Sequence, residues 1–490
     1  MYRSSLCRRA LVAATAAGVV ASLAGSALAG GFSSARFGGA WNTPTHVNAA
    51  SIFYNPGAMG QIRGNEVMLD VSLVYRSASY LRPESATSGQ MDGNEMAANT
   101  GEATLSNFIY SPMAGFATDL GGSRVVLGGA FYVPFGGQAV WSRTDAPDDI
   151  PWAADGPQRW FTIDGTIRTM AFSLGAAVRT EDNRFSFGLA TNLLLSSMST
   201  VRARNSNGDD DVLSAPGIIQ EGRSWLDVSS TDISIGLGAY YEAIPNRLYL
   251  GASWQSAPNI TGYQNLEGDL INELGSDPRQ VQDVIVRQRM PHTIRWGLAY
   301  RFNDEDEDGN VVRQRAEVRL SGDIATWNNM ASQCIVERSQ LVDGATARDA
   351  CPVAADGTVP PGSETGINIV QNLVRDWRVG YSFRLGGSYF FSDRFELAGS
   401  LAYDSNVIPD RTLDPALMDM NKILIELGAR YRATDWLALN FTFNDIVYLA
   451  RDTTGNPSHT TYPAPNTQPS AAGEYRQHIA LLNLNFQFLF

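Results

Sequence analysis

The feature that most constrains this chain is a period-two alternation that recurs along almost its whole length. Phe395, Leu397, Gly399, Leu401 and Tyr403 alternate with Glu396, Ala398, Ser400, Ala402 and Asp404. The same device recurs in Phe185, Phe187, Leu189, Leu193 and Leu195, in Val379, Tyr381, Phe383 and Leu385, and in Leu437, Leu439, Phe441 and Phe443. Alternation over about ten residues is a strand signature, with one face apolar and the other polar or small. About fourteen such strands are predicted, near 65–82, 106–120, 124–136, 166–180, 185–203, 226–243, 247–262, 284–302, 314–329, 375–392, 394–407, 421–434, 436–451 and 474–490.

The connections alternate between short and long. Short ones are Thr180–Asn183, Pro245-Asn246, Ser392-Asp393 and Thr434-Asp435; long ones occupy about 83–105, 137–160, 204–225, 263–283, 330–374, 408–420 and 452–473. Short turns on one side and long loops on the other are the wiring of a transmembrane β-barrel. Soluble sandwich strands are usually about 5–6 residues, too short for a bilayer crossing. The fold class predicted is therefore all-β, a transmembrane antiparallel β-barrel of about 14 strands. The last strand ends on Leu482, Leu484, Phe486, Phe488 and Phe490; an aromatic terminus of this kind resembles an outer-membrane assembly signal, which makes the barrel assembly machinery and outer-membrane lipids expected partners.

Residues 1–29 read as a signal peptide: Arg3, Arg8 and Arg9 precede an apolar run ending in Ala27-Leu28-Ala29. The barrel is assigned to 65–490. Between them, 30–64 does not alternate and is too short for its own core. Its apolar side chains (Phe32, Phe37, Trp41, Ile52, Phe53, Tyr54, Met59) favour a plug inside the lumen over a disordered leader.

The net charge of -13 argues against nucleic acid, whose phosphates need clustered cations. Cys334 and Cys351 form an exported pair suited to a disulfide, two free thiols being the alternative. His46, His292, His459 and His478 are scattered, so neither a metal nor another cofactor is expected, and no motif identifies a nucleophile with its base. Asp304–Gly309 has calcium-loop spacing, but Arg315 stands where the bidentate Glu belongs, so a solvated acidic turn is the better reading. Glu317, Arg319, Asp323, Arg378, Arg384, Glu396, Glu426 and Arg430 are expected to face the lumen and to pair across it.

Gly31-Phe32-Ser33-Ser34-Ala35, the Ala49–Gly60 stretch with Asn55-Pro56, and Asp404-Ser-Asn-Val-Ile-Pro-Asp410 resemble the FadL family of outer-membrane transporters for long-chain fatty acids and other hydrophobic compounds. The family's Asn-Pro-Ala is here Asn55-Pro56-Gly57, and its Pro-Asp-x-Asp-Arg appears as Met418-Asp419-Met420-Asn421-Lys422. The resemblance implies passive transport, without enzyme activity, of long-chain fatty acids or of aromatic and aliphatic hydrophobic molecules. Ligand would land among external loops, near 204–225 and 263–283, reach a pocket beside the plug, and leave where the third strand is kinked. Pro134, followed by Gly136 and Gly137, matches that kink, since Pro cannot donate to a ladder; alternatively it ends the strand. The candidate site is thus Phe32, Phe53, Asn55, Pro56, Pro134, Gly136 and Gly137, in a chain expected to be monomeric. A receptor or structural barrel and a general porin are the other readings.

Overall fold

A computed structural model describes residues 36–89, 91, 93–146, 150–205, 208–215, 218–275, 277–308, 310–338, 369–456 and 468–490. The signal peptide, Phe32 and Cys351 lie outside the described residues. The barrel-forming strands are β1 (Asn65–Arg82), β2 (Gly101–Thr118), β3 (Val125–Val140), β4 (Asp164–Arg179), β5 (Phe185–Arg204) and β6 (Gly222–Ile244). Next come β7 (Leu248–Gln255, resuming as Tyr263–Glu273), β8 (Gln280–Arg289 and Thr293–Glu305), β9 (Val311–Ala325 and Ser332–Glu337) and β10 (Ile369–Val374 and Gly380–Ser392). The set ends with β11 (Phe395–Asp404), β12 (Lys422–Thr434), β13 (Leu437–Tyr448) and β14 (Glu474–Leu489).

Each strand pairs antiparallel with its sequence neighbours, and β1 pairs with β14 from Glu66↔Leu489 to Leu81↔Glu474. The Asn65 amide donates to the Phe490 carbonyl at 3.0 Å, and the Asn65 carbonyl accepts from the Phe490 amide at 2.9 Å. Closure pairs the first strand with the last, so neither end of the sheet is left as a free edge in the membrane.

The alternation falls as expected. Leu73, Phe108, Leu174, Phe383, Leu385, Leu401, Leu427 and Phe443 point outward and are exposed, Phe108 by 80%. An apolar belt of that extent around a closed barrel is a lipid-facing surface. The opposite register, including Asp70, Asn192, Glu317, Arg319, Glu396, Glu426, Thr442 and Asn483, is buried in the interior. Arg378, expected there, is instead exposed, because the strand resumes only at Gly380.

Two strand boundaries are corrected. The segment 263–283 is not a loop: Tyr263–Glu273 pairs with both β6 and β8, so the wall rises beyond the membrane. β6 alone has 23 residues, far more than the roughly 9–11 needed to span. Second, β7 to β10 are all interrupted, at 256–262, 290–292, 326–331 and 375–379. Pro258 and Pro291 stand in the first two breaks and cannot donate to a ladder. Asn259, Ile260 and Gly262 take positive φ there (53°, 63° and 87°), unusual for a β-branched residue.

Candidate functional site

The N-terminal segment, with short helices α1 (Ser51–Tyr54) and α2 (Pro56–Met59), is packed on the inner face of strands from around the ring. The Asn55 side chain is fully buried; its Nδ2 donates to the Pro44 carbonyl (2.7 Å) and to the Ala239 carbonyl on β6 (2.9 Å), and its Oδ1 accepts from the Gly57 amide (3.0 Å). Trp41 Nε1 donates to Glu396 on β11 at 2.6 Å, and Asp70 on β1 accepts from the Gly38 amide at 2.6 Å and from Asn483 and Asn485.

Glycines on the wall make this approach possible. A Cβ at Gly188 would lie 2.2 Å from the Pro56 carbonyl oxygen, and one at Gly251 2.2 Å from that of Pro44. Gly57 is equally constrained: its Cβ would sit 2.6 Å from the Gly238 carbonyl oxygen. Gly57 therefore stands where a methyl group does not fit.

Above the segment the wall is incomplete. β2 pairs with β3 only from Ala114↔Phe131 to Thr118↔Leu127; further up, an isolated bridge joins Leu105 to Trp141, and the Ser142 amide donates to the Thr104 carbonyl. Between these contacts run Ser106–Met113 and Tyr132–Val140 with no ladder. Pro112 lies on one lip and Pro134 on the other, each without an N–H to donate.

On its other side β3 stays paired with β4, but the register shifts between Tyr132↔Ala171 and Phe135↔Thr169. Val133 and Pro134 together oppose Met170, which is a bulge. Pro134 therefore does not end the strand. The bulge also changes phase: Tyr132 faces inward before it and Ala139 after it.

A cavity enclosing about 1000 Å3, partly open to solvent, adjoins this stretch. Its walls include Gly136, Gly137 and Ala139 of β3 and the apolar Ile167, Met198, Leu226, Leu270, Ile335 and Met418. Two buried arginines reach it. Arg76 donates to Gln477 and to the Gln138 carbonyl, and Arg202 to Gln371. Among the described residues neither has a carboxylate in ion-pair contact, whereas Arg375, on the same wall, pairs with Asp414 at 2.8 Å. An apolar chamber with two cations that make no ion-pair contact among the described residues suits an amphiphile carrying an acid group.

A smaller cavity of about 470 Å3 sits beside the bulge, lined by Phe53, Tyr132, Pro134, Phe135, Leu194, Pro258, Pro291 and Arg295. Two polar cavities of about 610 and 670 Å3 lie across Arg295 and Asp323, with Arg36, Arg384, Asp404 and Lys422 among their walls. Here the interior charges pair: Arg36 with Asp404 at 3.2 Å, Arg384 with Glu426 at 2.9 Å, Lys422 with Asp419 at 3.0 Å.

The expected site residues thus divide. Gly136 and Gly137 line the large cavity, and Phe53 and Pro134 the small one, whereas Asn55 and Pro56 line neither and dock the segment on β5 to β7. Arg76, Arg202 and Arg295 were absent from the expected set; they come from different strands and carry no local motif. Of the 204–225 region, Ser224 lines the large cavity, and three other described residues are tied to neighbouring elements by ion pairs. Arg82 makes a two-pronged pair with Asp210 (2.6 and 3.0 Å), Arg159 pairs with Glu221 (2.9 Å), and Arg223 pairs with Glu221 and Asp155 (both 2.6 Å). Cys334 is buried on β9, its expected partner lying outside the described residues. Among the described residues no cluster of His, Cys, Asp or Glu could hold a metal ion; His459 lies outside them.

No protein-family model matches the chain, and no curated protein matches it by sequence. Solved structures do match. A FadL homologue of Pseudomonas aeruginosa superposes with a TM-score of 0.69 at 16% identity, over 95% of this chain and all of its own. The toluene transporter TbuX of Ralstonia pickettii and the toluene transporter TodX of P. putida each give 0.56 at 15% identity, over 90% of this chain and 94% of theirs. The chain is a closed antiparallel β-barrel with an apolar belt on its outer face. Its fold is that of the FadL-type channels, a likeness of architecture at these identities.

Proposed function

We propose that this chain is a passive channel for long-chain fatty acids or related hydrophobic molecules across a Gram-negative outer membrane. One observation carries the reading: a large apolar cavity adjoins the stretch where β2 and β3 form no ladder. Ligand collects among the external loops, buries its chain in the large cavity at about 0.8 kcal/mol per methylene, and leaves sideways between the proline-bearing lips into the bilayer. Residues 30–64 act as a plug that closes the axial route, where the interior is ionic and hostile to an acyl chain. Arg76 and Arg202, which make no ion-pair contact among the described residues, favour a fatty acid over a neutral hydrocarbon such as toluene, the compound named for two of the structural neighbours.

The same proposal includes removal of residues 1–29 on export, a Cys334–Cys351 disulfide, contact with outer-membrane lipids around the apolar belt, recognition of β14 by the barrel assembly machinery, and a monomeric barrel. The test is oleate uptake by a transporter-null host expressing the chain. Restored uptake without steady ionic conductance in planar bilayers is expected; a wide permanent pore, or no uptake from correctly folded barrels, contradicts the reading.

A further inference from the structure

Tyr132 occupies an unusual place in the wall. Its neighbour Phe131 is the last residue of β3 paired with β2 on this side of the gap, and Tyr132 itself is the last in register with β4 before the bulge. The side chain points inward and is 1% exposed. Its hydroxyl is 2.8 Å from Ser173 Oγ on β4 and 3.1 Å from Asn192 Oδ1 on β5. Asn192 continues the chain of bonds to Ser234 on β6, which also accepts from Gln255 on β7.

The ring faces the N-terminal segment. It meets Phe53 at 5.1 Å in edge-to-face geometry and Phe37 at 5.2 Å; Phe53 in turn packs on Phe37 and Tyr54, and Arg295 lies 4.3 Å over the Phe53 ring. Edge-to-face aromatic pairs contribute about 0.5–1.5 kcal/mol beyond burial. One side chain, at the start of the β3 lip, therefore joins the aromatic cluster of the segment to the polar chain across β4 to β7. The cavity between Phe53 and Pro134 opens on the same ring, so a ligand filling it must press on that contact.

We propose that Tyr132 is a positioning residue that couples the seating of the N-terminal segment to the width of the β2–β3 gap. Seated on Tyr132, the Phe37–Phe53–Tyr54 cluster holds the start of the lip inward. When ligand or a substitution displaces Phe53, the ring loses its support and the lip from Val133 onward shifts, changing the balance between narrower and wider gaps. The inference rests on reading that gap as the exit, but its signature is conformational and is measured without ligand.

The experiment places spin labels at Tyr110→Cys and Val140→Cys, outward-facing positions on the two lips, in a Cys334→Ser/Cys351→Ser background, and measures the inter-label distance distribution. Phe53→Ala is expected to change the ratio of the two gap populations by about threefold or more, the size seen between directly coupled neighbours. In a Tyr132→Leu background the same substitution is expected to change nothing, and Tyr132→Phe, which keeps the ring, is expected to retain the response. Equal responses with Tyr132 present and in the Tyr132→Leu background, or none in either, overturn the coupling. Oleate uptake measured in parallel separates the two ideas: a coupled gap with unchanged uptake contradicts the exit reading alone.

Discussion

The Asn55 carboxamide, buried in the lumen, donates to the carbonyl of Ala239 on β6 at 2.9 Å while its oxygen caps the Gly57 amide at 3.0 Å. One side chain therefore holds the segment's turn in shape and fastens that turn to the wall. Asn55→Ala strands a buried donor and two buried acceptors, each costing about 1–3 kcal/mol unpaired. The N-terminal segment of that variant is expected to be cut by added protease at least tenfold faster, with barrel strands intact. Gly57→Ala drives a Cβ to 2.6 Å from the Gly238 oxygen and is expected to release the segment similarly. Proteolysis at the parental rate in both variants contradicts docking through this turn.

Head-group recognition makes a separate claim. Arg202 reaches the large cavity with Gln371 as its hydrogen-bond partner. A charge-assisted bond to a carboxylate contributes about 1.5–3 kcal/mol, so Arg202→Met is expected to weaken oleate binding by about tenfold or more. Toluene, with no charge to hold, is expected to bind within about twofold of the parent. Tryptophan-fluorescence titration with both ligands checks it; equal losses for both would show that the arginine only shapes the cavity.

Much of the architecture was legible because the membrane enforces it. Lipid on one face and a polar interior on the other impose strict alternation, which is why Phe395 to Asp404 and Phe185 to Leu195 could be placed face by face. Where the wall rises above the bilayer that pressure vanishes. Asp227, Asp269 and Asp283, register partners on three neighbouring strands, point into water, so 263–283 read as a loop. The breaks at Pro258 and Pro291 did carry a signal, proline inside a strand pattern, that alternation on either side masked. Pro134 was visible for the same reason, but whether it ended β3 or bulged it depended on the β4 register. The arginines of the large cavity were out of reach, since β1 and β5 meet there only after closure.

His46 offers a test by pH. It is half-buried, and burial inside the barrel, with Arg430, Arg319 and Arg301 nearby, holds its imidazole well below the usual histidine range. A released segment would titrate near 6.5. Docking is therefore at full strength above about pH 6.5 and weakens as pH falls below it, by up to about 1.4 kcal/mol per unit until the docked imidazole also takes up a proton. Protease cleavage of the segment is expected to accelerate between about pH 7.5 and pH 5, and His46→Gln is expected to flatten that dependence; the same acceleration in both proteins would assign it elsewhere.

The central claim is that hydrophobic ligand leaves through the wall beside the β3 bulge. Val133 and Pro134 oppose a single residue of β4, so deleting Pro134 alone restores continuous register and keeps Gly137 and Ala139 facing inward. The decisive measurement is the initial rate of oleate uptake by cells expressing the deletion variant at parental levels, with its barrel verified by heat-modifiable gel migration. A loss of about tenfold or more, with oleate binding retained by the purified protein, is the expected result. Uptake at the parental rate from a folded, bulge-free barrel would contradict the lateral route.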